Sequence, residues 1–315
     1  MRRALIFVAF IALLDIAAIP TEPIRELPVH DGTVFAAAYR PDGAWLATGG
    51  DRTVTVWDAS LRKSLHAFSG HGTQITALAF SPDGATLASC DADGSLFLWK
   101  PSEASPPRRT EGHTACAYAV AFHPDGRSLF TCGQDRRVRV WRAEDGELLK
   151  SFPLFDGPLY ALAVSPDGRW LAVAGKEGTV SLCDSVSGKV QRTLIGHTDA
   201  VYSLSFSPDA HRIASGSQDA MVRIWDAESG RELMKLNGHR DAVFSVCFTA
   251  SGRRLVTLGT GGLVVVWDIA SGAPLHSHRV PDRAFCAAIA PDGATVAVGT
   301  ESSHAFLLEI PTRAW

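Results

Sequence analysis

A Pro-Asp pair recurs along this chain at Pro41, Pro82, Pro124, Pro166, Pro208 and Pro291, and Ala250-Ser251-Gly252 stands in register in the one gap. The steps between these positions are 41, 42, 42, 42, 42 and 41 residues. A fixed period in the forties predicts a repeat architecture, in which no unit buries its apolar face alone and each must stack on its neighbours. The clearest copy runs from Gly196 to Asp226.

Within that copy and just beyond it lie four strand-length segments: Val201–Ser207, Arg212–Ser217, Met221–Asp226 and Glu232–Leu236. Each is rich in β-branched, aliphatic or aromatic residues. Pro208-Asp209, Gln218-Asp219-Ala220 and Glu228-Ser229-Gly230 separate them as turns. Turns this short join antiparallel strands. No helical period of any length follows residue 20. The expected fold class is therefore all-β.

Seven repeats of this length use nearly all 315 residues after the first twenty, which predicts a single domain over 21–315. The net charge of −3 gives no electrostatic reason to expect a nucleic-acid partner. The first twenty residues read differently. Met1-Arg2-Arg3 precedes an apolar run from Ala4 to Leu14, then Asp15, then Ile16-Ala17-Ala18-Ile19-Pro20. A basic start, a short apolar core and small residues after it predict a signal peptide or a membrane anchor. Asp15 cuts the run short of the ~20 apolar residues of a full span. The expected location is exported, periplasmic or extracellular, or anchored by this segment. The alternative is a cytoplasmic protein whose residues 1–20 are a start-site artefact or a buried helix.

Gly-His pairs at Gly70-His71, Gly112-His113, Gly196-His197 and Gly238-His239 open four repeats, and His30-Asp31 is a variant. Trp57, Trp99, Trp141, Trp225 and Trp267 fall about 28 residues later, with Cys183 and Leu308 in their place in the fourth and seventh repeats. On these residues the chain, over about 22–310, resembles the WD-repeat β-propeller family. The resemblance implies a seven-bladed propeller of four-stranded antiparallel blades. The last repeat ends near Ile310 after three strands, and the orphan segment Ile24–Leu27 is expected to supply its fourth and close the ring.

The resemblance also implies a hydrogen-bonded chain of His, Ser/Thr, Asp and Trp inside each complete blade. By register, four sets are complete: His30, Thr48, Asp51, Trp57; His71, Ser89, Asp93, Trp99; His113, Thr131, Asp135, Trp141; and His197, Ser215, Asp219, Trp225. The sixth repeat has His239, Thr257 and Trp267, with Gly261 where the Asp belongs. The fourth has Phe155, Val173, Glu177 and Cys183, and the seventh lacks the set. A His–Asp pair at fixed spacing invites a catalytic reading, but an active site needs one copy and this pair recurs, so scaffolding is the expectation.

Other chemistry is thin. There is no phosphate-binding loop, no His-Glu-x-x-His and no dinucleotide fingerprint. His276-Ser277-His278 offers two ligands without a third. The six cysteines, Cys90, Cys116, Cys132, Cys183, Cys247 and Cys286, have no disulfide-framework spacing. Arg136, Arg137, Arg139 and Arg142, with Arg108 and Arg109, form either an anion-binding edge or a solvated strand that blocks edge pairing. No catalytic residue, cofactor or metal is expected.

One constellation rises above this background. The second residue of the first strand is Phe35, Thr76, Tyr118, Tyr160, Tyr202, Phe244 and Phe285 across the seven repeats. The resemblance implies that this position lies at the top mouth of the central channel, where aromatic rings could hold a cationic or apolar side chain of a partner. The alternative is packing between blades alone. Gln134, Gln218 and Lys176, with Gly50, Ala92 and Thr260, precede the tight-turn position and share that face. The expected function is a non-enzymatic, monomeric scaffold that binds a protein or peptide on its top face. The alternatives are an extracytoplasmic enzyme with a pocket in the channel and a structural subunit of a larger assembly.

Overall fold

The computed structural model describes residues 25–28, 30, 32–58, 64–103 and 105–310. The segment 1–20, read as a signal or anchor, lies outside the described residues. Among the described residues, no helix is long and apolar enough to cross a membrane.

Seven four-stranded antiparallel sheets form the blades of a propeller. The fifth shows the plan, with strands Val201–Phe206, Arg212–Ser217, Met221–Asp226 and Glu232–Asn237 in that order from the inside out. The seventh sheet takes Ala284–Ile289, Thr295–Thr300 and His304–Glu309 from the end of the chain and Arg25–Pro28 from its beginning. Arg25 pairs with Leu307 and Pro28 with His304, so backbone hydrogen bonding closes the ring.

The core lies between blades. One cluster joins Ala172, Ala174 and Leu182 of the fourth blade to Val201, Ile213 and Trp225 of the fifth. Middle strands are covered on both faces, and every residue of Trp170–Gly175 is buried. Outer strands meet water, as Leu148–Pro153 does. Their long polar side chains clasp the next blade. An Arg108 guanidinium N–H donates to the Asp145 carbonyl at 2.7 Å, Lys150 donates to the Ser187 carbonyl, and Arg192 Nε donates to the Glu228 carbonyl at 3.2 Å. At the same place Gly188 (φ +70°) packs under Phe152, where an added Cβ would come within 2.8 Å of the ring.

The innermost strands carry a repeated irregularity. In six blades the pairing skips one residue, between Ile75 and Ala77, Ala117 and Ala119, Leu159 and Ala161, Val201 and Ser203, Val243 and Ser245, and Ala284 and Cys286. The skipped residues are Thr76, Tyr118, Tyr160, Tyr202, Phe244 and Phe285. A bulge turns its residue out of the alternation and aims its side chain away from the ladder.

Candidate functional site at the channel mouth

The internal networks set the frame on which the mouth is built. In the fifth blade Trp225 Nε1 donates to Ser215 Oγ at 2.8 Å, and Ser215 Oγ lies 2.7 Å from His197 Nε2. His197 Nδ1 lies 2.9 Å from Asp219 Oδ2. One assignment satisfies every group: the indole donates to the hydroxyl, the hydroxyl to Nε2, and Nδ1–H to the carboxylate. The imidazole is then neutral, and burial does push its pKa down.

The third blade repeats the arrangement through His113, Thr131 and Trp141, with His113 Nδ1 2.7 Å from Asp135. Arg139 adds a second bond to that carboxylate at 2.6 Å. Burial drives His113 down to about 4 against the opposing pull of Asp135. Burial alone would raise Asp135, but hydrogen bonds from His113 and Arg139 outweigh it and hold the carboxyl near 2. In the first blade His30 and Trp57 both meet Thr48 Oγ1 at 3.0 Å, and Asp51 lies against Gly32.

The second blade departs from the expected set. His71 Nε2 meets Ser89 at 2.6 Å and Trp99 donates to Ser89 at 2.7 Å, but His71 Nδ1 bonds Asp91 Oδ2 at 2.8 Å and not Asp93. Asp91 ends the second strand, where the third blade has Gly133, and its side chain reaches inward to the imidazole. Asp93 remains exposed in the turn. In the sixth blade His239 meets Thr257 at 2.7 Å, and Trp267 donates to Thr257 at 2.8 Å. With Gly261 in the turn, Asp241 caps the Gly261 N–H instead, at 2.8 Å. His239 Nδ1 and Asp241 Oδ1 are buried without a hydrogen-bond partner. The fourth and seventh blades replace the network with apolar residues: Val173 and Cys183 in one, Val280, Val298 and Leu308 in the other, all buried.

In blades with and without the network alike, a backbone bond ties the turn at the head of the blade to the loop before its first strand. The turn N–H of Gln134 donates to the Cys116 carbonyl and that of Gln218 to the Ala200 carbonyl, both at 2.8 Å. Lys176 does the same to Pro158 at 3.0 Å. The turn residues therefore sit at the same end of the channel as the bulged residues beside them.

There the rings form a continuous arc. Centroids lie 5.1 Å apart from Tyr118 to Tyr160, 5.4 Å from Tyr160 to Tyr202 and 4.7 Å from Tyr202 to Phe244. The arc continues at 5.9 Å to Phe285 and 5.2 Å to Phe35. Thr76 interrupts it and is bonded to the Ala117 carbonyl. All six rings are half-buried and line a cavity of about 630 Å³. Small residues floor that cavity, among them Ala77, Ala119, Ala161 and Ser203. Burial raises the Tyr118 hydroxyl to about 12, raises Tyr202, and raises the neighbouring Cys116 thiol to about 11. All three therefore stay protonated at neutral pH. Tyr202 donates to Gln218 Oε1 at 2.9 Å, tying the ring layer to the turn layer.

The other candidates do not converge on this mouth. The arginine hairpin is spent on its own surroundings. Arg137 Nε donates to Ser151 at 2.7 Å, Arg136 to the Asp156 carbonyl at 3.3 Å, Arg109 to Ser95 at 3.3 Å and Arg142 to Asp145 at 2.8 Å. His276 and His278 lie on an outer strand. Among the described residues, no group of three or more His, Cys, Asp and Glu side chains could hold a metal ion. All six cysteines are free thiols.

The family model described as "WD domain, G-beta repeat" matches residues 21–58, 62–100, 105–142, 146–184, 188–226 and 230–268. Among similar curated proteins, human striatin-4 is 36% identical over 104 residues, 29% of this chain and 14% of that protein. Rat apoptotic protease-activating factor 1 is 34% identical over 80 residues, 25% of this chain and 6% of that protein. Transcription initiation factor TFIID subunit 5 of Caenorhabditis elegans is 38% identical over 78 residues, 24% of this chain and 12% of that protein. The matched stretches are thus a minor part of each of these longer relatives.

Proposed function

The chain belongs to the WD-repeat β-propeller family, and from that footing we propose that it is a non-enzymatic interaction platform that takes a protein or peptide partner at the mouth of its channel. The observation that carries the reading is the arc of six half-buried rings, five of them on bulges, around a cavity of about 630 Å³. Aromatic side chains add contact area at little entropic cost, and one held half out of water stabilises a complex when a partner covers the rest. The surrounding chemistry favours binding over turnover. The recurring His–Asp pairs are consumed in internal hydrogen bonds, and burial raises the Cys116 thiol and the Tyr118 and Tyr202 hydroxyls, away from nucleophilic use. The relative called subunit 5 of TFIID is by its name part of an assembly. The reading includes a monomeric propeller, and export or membrane anchoring through residues 1–20.

The test pairs capture with stability. Wild-type protein and the Tyr202→Ala/Phe244→Ala double variant are immobilised and offered extract of the native cells. The expected result is a set of proteins retained by the wild type and lost by the variant, with melting temperatures within a few degrees. Equal capture by both refutes the mouth as the binding surface.

A further inference from the structure

Most polar atoms in the wall of the channel mouth are already bonded within the protein. Tyr202 donates to Gln218 Oε1, Thr76 donates to the Ala117 carbonyl, and Ser245 donates to the Ala287 carbonyl at 3.2 Å. Ser203 Oγ accepts the Val246 N–H at 3.0 Å, and the Cys286 thiol lies 3.7 Å from the Val34 carbonyl. All five of these residues line the cavity. Tyr118 and Tyr160 add two further phenols, neutral groups that cannot balance a charge. What the wall offers an occupant is chiefly ring and hydrocarbon surface.

Among the described residues, none that lines the cavity is charged. Lys176, Glu177, Asp199 and Arg283 stand around the mouth outside that lining, two of each sign. A charge placed among the rings would therefore lose its water without meeting an opposite charge. The wall's own groups feel that cost, since burial is the main cause that raises Tyr118 and Cys116. The attraction of a cation to ring faces is smaller than such a loss. The arc is open at the second blade, where Thr76 stands in place of a ring and Gln74 and Ala92 line the cavity. Gln74 is exposed, and its side-chain amide has no hydrogen-bond partner among the described residues. An amide carries both donor and acceptor, the complement of a peptide group.

Resting on the platform reading, we infer that the mouth takes a bulky, uncharged apolar side chain of a partner peptide among its rings, with the peptide backbone bonded to the Gln74 amide at the gap in the arc. The small floor residues Ala77, Ala119, Ala161 and Ser203 leave depth for a side chain as large as that of Leu, Phe or Trp. Burying it against the rings is favourable through area and ring contact, and it needs no polar partner. Aromatic rings can hold either a cationic or an apolar group. The bonded polar atoms and the uncharged lining select the apolar one.

The probe is a positional-scanning hexapeptide library, biotinylated at its amino end through a neutral linker and amidated at its carboxyl end, so that neither terminus is charged. It is offered to wild type, Gln74→Ala and Ala119→Asp proteins, each checked for folding by melting. Wild type is expected to enrich Leu, Ile, Met, Phe or Trp at one position and to exclude Asp, Glu, Lys and Arg there. Capture of the enriched peptides should change by less than about twofold between roughly 0.05 and 0.5 M NaCl, because no charge pair is involved. Gln74→Ala should weaken all peptides alike by about two- to tenfold, as the loss of a net hydrogen bond does, and leave the side-chain preference as it is. Ala119→Asp should admit Lys or Arg at the position that the wild type keeps apolar. The salt series and Gln74→Ala keep the test whole if Ala119→Asp does not fold. Charged selection by the wild type, capture that falls with salt, a Gln74→Ala protein indistinguishable from wild type, or a folded Ala119→Asp protein with unchanged selection overturns the inference and leaves the platform reading standing. Retention of no peptide by the wild type also overturns it, and the platform reading then stands or falls on the extract capture above.

Discussion

His71 Nδ1 lies 2.8 Å from Oδ2 of Asp91, and both side chains are almost wholly shielded from water. The other Asp91 oxygen accepts the backbone N–H groups of Asp93 at 3.1 Å and Ser95 at 2.8 Å. One carboxylate thus orders both an imidazole and a turn. Asp91→Ala should destabilise the fold by about 1–3 kcal/mol, because it strands a buried donor. Asp93→Ala, in the exposed turn, should stay within about 0.5 kcal/mol. Urea unfolding of the two variants checks this, and equal losses would refute the assignment.

Removing one member of a satisfied network differs from replacing all of it. Trp225→Ala should cost about 3–5 kcal/mol through the cavity and the lost indole bond. Installing the seventh blade's residues in the fifth, as His197→Val, Ser215→Val and Trp225→Leu together, should cost less than the sum of the three single changes. The seventh blade buries Val280, Val298 and Leu308 at the same positions without any polar group to satisfy. Chemical denaturation of the singles and the triple measures the non-additivity.

His239 ties stability to pH. Burial lowers its pKa to about 4, opposed by Asp241 and assisted by Arg279. The unfolded chain titrates near the ordinary value of about 6.5. Between those values the unfolded state binds a proton that the folded state does not. Stability is therefore complete above pH ~6.5 and falls as pH drops towards 4, at up to ~1.4 kcal/mol per unit for this one group. His113, driven to about 4 mainly by burial, adds in the same sense. Denaturation midpoints between pH 7 and 4 should show the decline, and His239→Gln should make it shallower by about one proton. An unchanged slope counts against a neutral buried His239.

Ring closure rests on Arg25–Pro28 pairing with His304–Leu307. A chain lacking residues 25–28 leaves the outer edge of that sheet unpaired. It should melt at least ~5 °C lower and self-associate through the exposed edge. Size-exclusion chromatography and calorimetry read both effects, and a monomer with unchanged melting would show that the strand is dispensable.

The repeat period and turn chemistry made the repeats and their four strands legible in the sequence, and the family resemblance those repeats carry implied the blades and the shared seventh sheet. The aim of the rings was not legible there. Tyr160 and Tyr202 could be placed near a strand start, but only the skipped pairing between Leu159 and Ala161 and between Val201 and Ser203 turns them into the channel. Register alignment also assigned Asp93 by position, whereas the bond is decided by which carboxylate reaches Nδ1. Likewise, nothing in residue type announced that Asp241 would cap the turn left open by Gly261. These features depend on side-chain reach and local breaks in pairing, and spacing alone does not record either.

The ring has one buckle. Between most blades the joint is covalent, and on the outside Arg108, Lys150 and Arg192 each fasten a strand to the next blade. At the seventh sheet the joint is four residues of backbone pairing and an exposed contact of 3.3 Å between Glu26 Oε1 and His304 Nε2. The register position held by those three clasping side chains has become Met234 and then His276 on the approach to it. A tensile load applied to either end of the chain falls first on that pairing. The propeller should therefore fail mechanically by unbuckling there, as a low-force event that precedes rupture of the remaining blades.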